Sequence, residues 1–257
     1  MTQAMPSGAR VSIEEFEQIF ESVKNWGRWG MDDQLGTLNF ITPAHVRAAA
    51  ELVQSGRRVS LAIPINTVAG PDNPNPAIHF VSQAHDIDIG SGGLRFGLDF
   101  LGMACHGDCH THVDALCHIS YNGLTYNGHP AQEVLTSKGA TSLDIAGYGD
   151  GVVGRGVLLD IPRFRGVKWL EPGEAVRRAE LEACEEAQGV LLGEGDILVF
   201  RTGHHRRRLE LGPGTTGLMA RARPGCTSTR SAGCTSGAWP RSCPMATERR
   251  SRASSRA

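Results

Sequence analysis

The 257-residue sequence lacks several features, and each absence excludes a class of protein. It contains no apolar run of about 18 residues, so it predicts no membrane-spanning helix. Its N-terminal residues lack the apolar core of a signal peptide. The formal net charge of −1 gives no overall field for nucleic acid or an anionic membrane. Seven cysteines occur without a CxxC pair, which argues against a structural zinc site of the usual spacing. These absences predict a soluble, cytoplasmic, globular protein.

The C-terminal segment 226–257 lacks branched aliphatic residues altogether. It contains no Val, Ile, Leu, Phe or Tyr, but six Arg, seven Ser, three Cys and a single acid. Its charge is therefore +5, against −6 for residues 1–225. A packed domain needs a larger apolar fraction. This composition predicts a disordered basic tail of the kind that contacts RNA or membranes.

The genetic code offers a second interpretation of the tail. If one base is lost at the codon of Gly225, the neighbouring frame places aliphatic residues at helical spacing, followed by a short strand pattern. A random tail has no reason to conceal such a pattern. We therefore interpret residues 226–257 as a frameshift product. Residues 1–225 are then one incomplete domain whose C-terminal part is missing.

Hydrophobic periodicity predicts both helices and strands in residues 1–225. Helices are predicted over 12–23, 43–55 and 174–187, and Gly189 is expected to end the last of them. Strands are predicted over 58–65, 77–81, 94–100, 157–161 and 196–201. The strand–helix–strand order predicts an α/β fold with a mixed sheet.

The densest chemistry lies in residues 105–118, CHGDCHTHVDALCH, which contain four His, two Asp and three Cys. On a strand, His110, His112 and Asp114 would point to one side. Imidazole and carboxylate groups on one face suit a divalent ion such as Zn²⁺ or Mn²⁺. His118 follows Asp114 by four residues. It could act as an acid–base group beside a water whose pKa the metal lowers to about 7.

Other interpretations of these residues stay open. The cysteines at 105, 109 and 117 could bind zinc, one of them could be a nucleophile, or the histidines could be structural. Trp26 and Trp29 either stack on an aromatic substrate or pack locally. The run HHRRR at 204–208 is either a ligand or nucleic-acid patch or a solvated turn.

The residues THVDALCH at 111–118 resemble the HxGTHxDxPxH motif of the cyclase family, which includes bacterial kynurenine formamidases and isatin hydrolases. Segments 25–42, 121–128, 155–170 and 195–203 are similar to the longer branch of that family. The resemblance implies a swivelling β/β/α fold. It also implies metal-dependent hydrolysis of a formamide or cyclic amide, with zinc favoured over manganese. The usual named activity is release of formate from N-formylkynurenine in tryptophan catabolism. The resemblance also implies a small-molecule substrate and a homo-oligomeric assembly in full-length relatives. The charge balance, in contrast, indicates neither nucleic acid nor membrane as a partner.

Carried over by position, the resemblance makes His112 and Asp114 metal ligands and His118 the catalytic histidine. The family's first ligand falls at Asp108, so the first ligand is Asp108 itself, His106 or His110. Leu116 stands where the shorter enzymes have proline.

A later His and Glu complete a second metal position in the kynurenine formamidases, and nothing in 119–225 matches them. Two functions are therefore expected as alternatives: an arylformamidase-like hydrolase, or a non-catalytic remnant that binds metal weakly or not at all. A nucleic-acid binder that uses the basic tail is a third alternative.

The frameshift interpretation makes a prediction about the gene. Read in the neighbouring frame from the codon of Gly225, the gene should stay open and encode the aliphatic pattern. Nucleotide sequencing of the locus tests this expectation. An alternate frame closed at once by stop codons would contradict it.

Overall fold

A computed structural model describes residues 11–87, 90, 92–106 and 109–213, together with the backbone of 225–227. Its α-helices are Ile13–Val23 (α1), Pro43–Glu51 (α2), Ala131–Val134 (α3), Ile161–Arg165 (α4), Arg178–Gln188 (α5) and His204–Leu211 (α6). Its strands are Ile78–Gln83 (β1), Leu98–Gly102 (β2), Leu135–Thr136 (β3), Gly139–Ala140 (β4), Gly156–Asp160 (β5), Ala175–Arg177 (β6), Ile197–Arg201 (β7) and Gly225–Thr227 (β8). Short 3₁₀ helices span Gly36–Phe40, Leu116–His118, Tyr126–Gly128 and Ile145–Tyr148.

The strands of the described residues pair two by two. The pairs β1–β2 and β3–β4 are antiparallel hairpins. The pairs β5–β7 and β6–β8 are parallel, and each has a helix between its two strands. The predicted α/β class is therefore confirmed, with parallel and antiparallel pairing in separate pairs.

The larger hydrophobic core lies between the β5–β7 pair and α5. Strand β5 alternates in exposure, with Val157 and Leu159 buried and Leu158 facing outward. Helix α5 adds Leu181 and Cys184 from one face of its helical repeat. A smaller core consists of Ala115, Cys117, Val134 and Leu143. This second core matters for function because two of its members come from the histidine-rich segment.

One buried amide holds the irregular segment between α1 and α2. Asn127 adopts a left-handed backbone conformation with φ of 60°. Its Oδ1 accepts a hydrogen bond from the Gly27 amide at 2.8 Å. Its Nδ2 lies 3.0 Å from the carbonyl of Gly30 and 3.2 Å from that of Met31. A loop without regular structure thus has its backbone groups satisfied by one side chain.

A carboxylate fixes the next turn of the same segment. Asp33 accepts hydrogen bonds from the Gly36 amide at 2.8 Å, from Asn39 Nδ2 at 2.8 Å and from the Tyr126 hydroxyl at 2.9 Å. Partial burial alone would raise the pKa of Asp33, but these hydrogen bonds outweigh it and the pKa is lowered. The charged form is therefore the one that the fold stabilises.

Several predicted elements are confirmed in place. Helix α1 begins after Ser12, whose Oγ accepts a hydrogen bond from the Glu15 amide at 3.1 Å. Helix α2 begins at Pro43 as predicted, but it ends at Glu51 rather than at residue 55. Strands β1, β5 and β7 lie within two residues of their predicted bounds.

Other predicted elements are wrong. Residues 58–65 form no strand, because no neighbouring strand pairs with them, and their side chains are largely exposed. Strand β2 begins at Leu98, not at residue 94. The helix predicted over 174–187 begins only at Arg178, because residues 175–177 form β6 and pair with β8. It ends as predicted, with Gly189 in the left-handed conformation at φ of 65°.

The predicted tail lies outside the described residues, apart from residues 226 and 227. The backbone of these two residues belongs to β8. Disorder of the tail and its frameshift origin remain predictions.

Replacing Asp33 with Asn should lower the free energy of unfolding by about 1–3 kcal/mol at pH 7, because three donors lose a charged acceptor. The pKa of Asp33 is lowered in the folded protein. Its contribution is therefore present above the unfolded-state pKa of about 4 and is lost as the pH falls through the folded-state value. Urea denaturation of both proteins at pH 7 and at decreasing pH measures the difference, which should shrink only in acid.

The neighbouring Asp32 provides the control, because it is exposed. Asp32→Asn should change the free energy of unfolding by less than about 0.5 kcal/mol. A difference for Asp33→Asn that grows on acidification would contradict the assignment.

Candidate metal centre

The histidine-rich segment lies between the hairpin and the smaller core. Strand β2 ends at Gly102, and the chain then runs through His106 without regular structure. Further along, Ala115 and Cys117 are 2% and 5% exposed, and the Cys117 amide donates to the Leu143 carbonyl at 3.0 Å. Burial of these two residues fixes the backbone that carries Asp114 and His118.

Three imidazoles surround the carboxylate of Asp114, whose side chain is only 11% exposed. Its Oδ1 lies 2.7 Å from His106 Nδ1 and 3.4 Å from His118 Nδ1. Its Oδ2 lies 3.5 Å from His112 Nε2. The ring of His106 meets the rings of His112 and His118 edge to face, at 5.4 and 4.6 Å between centroids. The group is compact enough for its members to act together.

A backbone carbonyl fixes the tautomer of His112. Its Nδ1 lies 2.9 Å from the carbonyl oxygen of His110, which can only accept a hydrogen bond. Nδ1 therefore carries a proton, and in the neutral ring Nε2 presents a lone pair. Nε2 lies 3.5 Å from Asp114 Oδ2, so in the neutral ring a cation could be shared between these two atoms. The arrangement is that of a metal-ligating histidine whose other nitrogen is held by a hydrogen bond.

The residues present fit a divalent metal. His106, His112 and Asp114 each offer one ligand atom, and these atoms all lie within 4.8 Å of one another. Two imidazoles and one carboxylate are a donor set of catalytic zinc sites, which leave a coordination position open. The same donors also suit manganese. Among the described residues, this is the one group of three or more His, Cys, Asp or Glu side chains close enough together to hold an ion.

The structure brings together four of the residues singled out from the sequence: His106, His112, Asp114 and His118. His110 is not in the metal-ligand group, since residues 111–115 form no strand and the predicted one-sided alternation does not apply. Its side chain is buried, and neither ring nitrogen has a hydrogen-bond partner. Asp108, the other proposed first ligand, lies outside the described residues. Of the two alternatives that the structure describes, His106 is the one that lies in the group able to hold an ion.

Both tryptophans pack against neighbouring rings. Trp26 meets Phe20 edge to face at 6.0 Å, and a Cβ added to Gly128 would come within 3.3 Å of the Trp26 ring. Trp29 meets Phe40 edge to face at 4.9 Å. These contacts account for both rings as local packing, and the predicted role in substrate binding stays a prediction.

Three of the four cysteines in the described residues have structural surroundings. Burial raises the pKa of the Cys117 and Cys184 thiols, so both are protonated at neutral pH. The thiol of Cys109 donates to the Asp72 carbonyl at 2.8 Å. None of the described cysteines belongs to the metal-ligand group of His106, His112 and Asp114.

The basic run at 204–208 lies on helix α6 rather than in a solvated turn. Its arginines pair with acids: Arg206 with Glu210, and Arg207 with Glu171, at 2.8 and 2.9 Å. Arg208 pairs with Asp72. Neutralised in this way, the helix offers little net positive charge to a nucleic acid.

A groove of 1030 Å³ lies away from the histidines, along β5 and the C-terminal end of α5. The side chain of Gln188 projects along its wall. Gln188 Nε2 donates to the Leu158 carbonyl at 2.6 Å, and its Oε1 accepts from the Asp160 amide at 3.0 Å. Asp160 is itself paired with Arg201 at 2.6 Å. The polar groups of this groove are thus engaged in holding the fold, and size alone does not make it the reactive site.

Comparison with known proteins agrees with this geometry. The model of the family described as "Putative cyclase" matches residues 40–232, so the chain belongs to the cyclase family. A crystal structure described as that of a novel cyclase is similar, with 40% sequence identity and a TM-score of 0.64. The alignment covers 70% of this chain and 63% of that chain. A comparison with curated proteins gives no match. None of the described helices is long and apolar enough to cross a membrane.

Substitution of the metal-ligand group should reduce metal binding. His112→Ala or Asp114→Asn should weaken zinc affinity by at least about 100-fold. Loss of a residue that only hydrogen-bonds to a metal ligand already lowers metal affinity about 10–100-fold, and loss of a ligand itself should cost more. Isothermal titration with Zn²⁺ and with Mn²⁺ measures the affinity. His79→Ala is the control, because His79 lies on β1 and pairs with Asp99.

The same titration decides between the alternative first ligands. His106→Ala should weaken affinity as strongly as His112→Ala, whereas His110→Gln should leave it within a few-fold. Equal losses in His110→Gln and His112→Ala, with both proteins folded, would assign the ligand role to His110 instead.

Proposed function

We propose that this chain is a metal-dependent hydrolase that acts on a formamide or cyclic amide carbonyl, with arylformamidase-like activity on N-formylkynurenine. The convergence of three imidazoles on Asp114 carries this proposal. Two of them form a donor set with the carboxylate, and the third, His118, lies beside it. Membership of the cyclase family supports an enzymatic role. The amide substrate class comes from the resemblance of residues 111–118 to the family's hydrolases.

A divalent ion bound by His106, His112 and Asp114 would polarise the substrate carbonyl and lower the pKa of a water molecule. The chain's own residues supply the rest of the chemistry. Asp114 would bind the ion, and it also positions His118, whose Nδ1 lies 3.4 Å from Oδ1. The His118 side chain is 31% exposed, so the far side of its ring can be reached by a substrate.

The proposed reaction requires one proton to move from the attacking water to the leaving nitrogen of the substrate. As the water oxygen bonds to the formyl carbon, His118 accepts the proton that water loses. The carbon–nitrogen bond then breaks, and His118 passes the proton to the leaving nitrogen. Formic acid and a free amine result, and the acid ionises to formate by releasing a proton to solvent, with no oxidant or reductant consumed.

One observation favours the alternative of a non-catalytic remnant. The described residues supply three ligand candidates, and His106, one of the three, has a side chain that is 45% exposed. This alternative predicts no turnover, with metal bound weakly or not at all.

Assays of the zinc- or manganese-loaded protein on N-formylkynurenine, formanilide and isatin separate the two functions. His118→Ala should lower kcat about 10²–10⁴-fold, the usual contribution of a general acid–base group. Its metal affinity should stay within a few-fold of the parent value, because His118 is outside the ligand group. His129→Ala is the control, because His129 Nε2 lies 3.3 Å from the Met31 carbonyl and is outside the ligand group, and it should retain full activity.

The outcomes are distinct. Turnover that depends on His118 supports the hydrolase. Metal binding without turnover on any of these substrates supports the remnant. Absence of both metal binding and turnover would overturn the proposed hydrolase.

A further inference from the structure

The groove along β5 and the C-terminal end of α5 has the size of a ligand site. Its volume of 1030 Å³ is close to the upper end of the roughly 300–1,000 Å³ range of small-molecule sites. None of the residues that line it belongs to the metal-ligand group. A molecule bound in the groove would therefore be separate from the metal centre.

The walls of the groove carry apolar side chains that water can still reach. Leu52, Leu158, Val190 and Leu191 are exposed. Phe164 also lines the groove, is half-buried, and packs against the larger core. An apolar ligand that covers these side chains would be favoured, because it removes apolar area from water.

Three charged residues line the groove, and one of them has an unpaired side chain. Arg155 binds the Asp196 carboxylate through two nitrogens, at 2.8 and 2.5 Å, and Asp160 pairs with Arg201. Arg163 is the exception among the polar groups. Its amide donates to Asp160 at 3.1 Å, but within the described part of the chain its guanidinium has neither an ion pair nor a hydrogen bond. Because a guanidinium is always charged, the groove carries one uncompensated positive charge.

The edge of β5 adds a second open donor. The Arg155 carbonyl accepts from the Ile197 amide of β7 at 2.8 Å, so residues 156, 158 and 160 of this parallel pair direct their backbone groups toward the groove. Gln188 engages the Leu158 carbonyl and the Asp160 amide. The Leu158 amide finds no acceptor among the described residues. A ligand that accepts hydrogen bonds therefore suits the groove better than one that only donates them.

The charge of the groove also argues against the chain's own tail as its occupant. Residues 226–257 have a net charge of +5, so Arg163 would repel them. They also contain no Val, Ile, Leu, Phe or Tyr to cover the apolar walls. The groove instead matches a molecule that combines an apolar body with a negative charge.

We propose that this groove binds a small aromatic monocarboxylate. The carboxylate would pair with the Arg163 guanidinium, which can donate two parallel hydrogen bonds to its two oxygens. The ring would lie against Phe164 and the aliphatic walls. An aromatic ring buries a large apolar area with few rotatable bonds, so little conformational entropy is lost on binding. The single negative charge of such a ligand equals the single unpaired positive charge of the groove.

Isothermal titration of the full chain with 2-naphthoate tests the proposal. The protein is first dialysed free of metal, so that the carboxylate cannot bind an ion at the metal centre. The parent chain should bind one 2-naphthoate saturably. The neutral 2-naphthamide has the same ring and nearly the same shape, and it should bind at least about 10-fold more weakly because it lacks the charge.

Substitution of Arg163 locates the binding site. Arg163→Gln should weaken 2-naphthoate binding at least about 10-fold, whereas 2-naphthamide binding should change less than about two-fold. Arg47→Gln is the matched control, because Arg47 is an exposed arginine of α2 that does not line the groove. Val190→Glu is a second variant. It places a negative charge on the wall, so it should weaken 2-naphthoate binding more than 2-naphthamide binding.

Three results would overturn the proposal. The first is no binding of 2-naphthoate to the metal-free parent chain at concentrations up to about 10 mM. The second is 2-naphthamide binding as tight as that of 2-naphthoate. The third is a folded Arg163→Gln protein that binds 2-naphthoate as the parent does. Since the titration requires neither metal nor turnover, its failure is distinguishable from failure of the proposed hydrolase.

Discussion

The buried carboxylate of Asp114 is the constraint on which the metal centre depends. A carboxylate that is nearly nine-tenths withdrawn from water is costly unless positive charge or hydrogen-bond donors face it. Here three imidazole nitrogens lie within 3.5 Å of the carboxylate oxygens. A divalent cation held among these groups would add positive charge to that compensation. The cost of burying the Asp114 charge thus explains why three histidines surround this carboxylate.

The positions of these side chains depend on the smaller hydrophobic core. Ala115 and Cys117 point into it, and their neighbours Asp114 and His118 consequently point away from it. The reactive groups are therefore held by residues that have no chemistry of their own. The His110 carbonyl acts similarly, since it orients His112 through its ring nitrogen. A loss of packing at Cys117 would disturb the site without removing any ligand.

Local patterns in the sequence predicted the local structure well. The apolar spacing of α1 and the apolar runs of β5 and β7 predicted those elements, because their burial follows from their own periodicity. The same reasoning failed for residues 58–65, since periodicity does not tell whether a neighbouring strand exists. The first metal ligand was ambiguous for a related reason: spacing does not reveal how the chain turns between His106 and His112. Contacts such as Gly27 with Asn127 join residues 100 positions apart, and a single sequence carries no signal for them.

The side chain of Gln188 has a consequence for how molecules of this protein meet. Its amide donates to one backbone group of β5 and accepts from another, as a neighbouring strand would. Exposed strand edges invite a second chain to add to the sheet. Here a single glutamine already occupies those backbone groups, so the sheet is closed to growth on that side. Addition of a second chain to β5 is thereby opposed at the Leu158 carbonyl and the Asp160 amide.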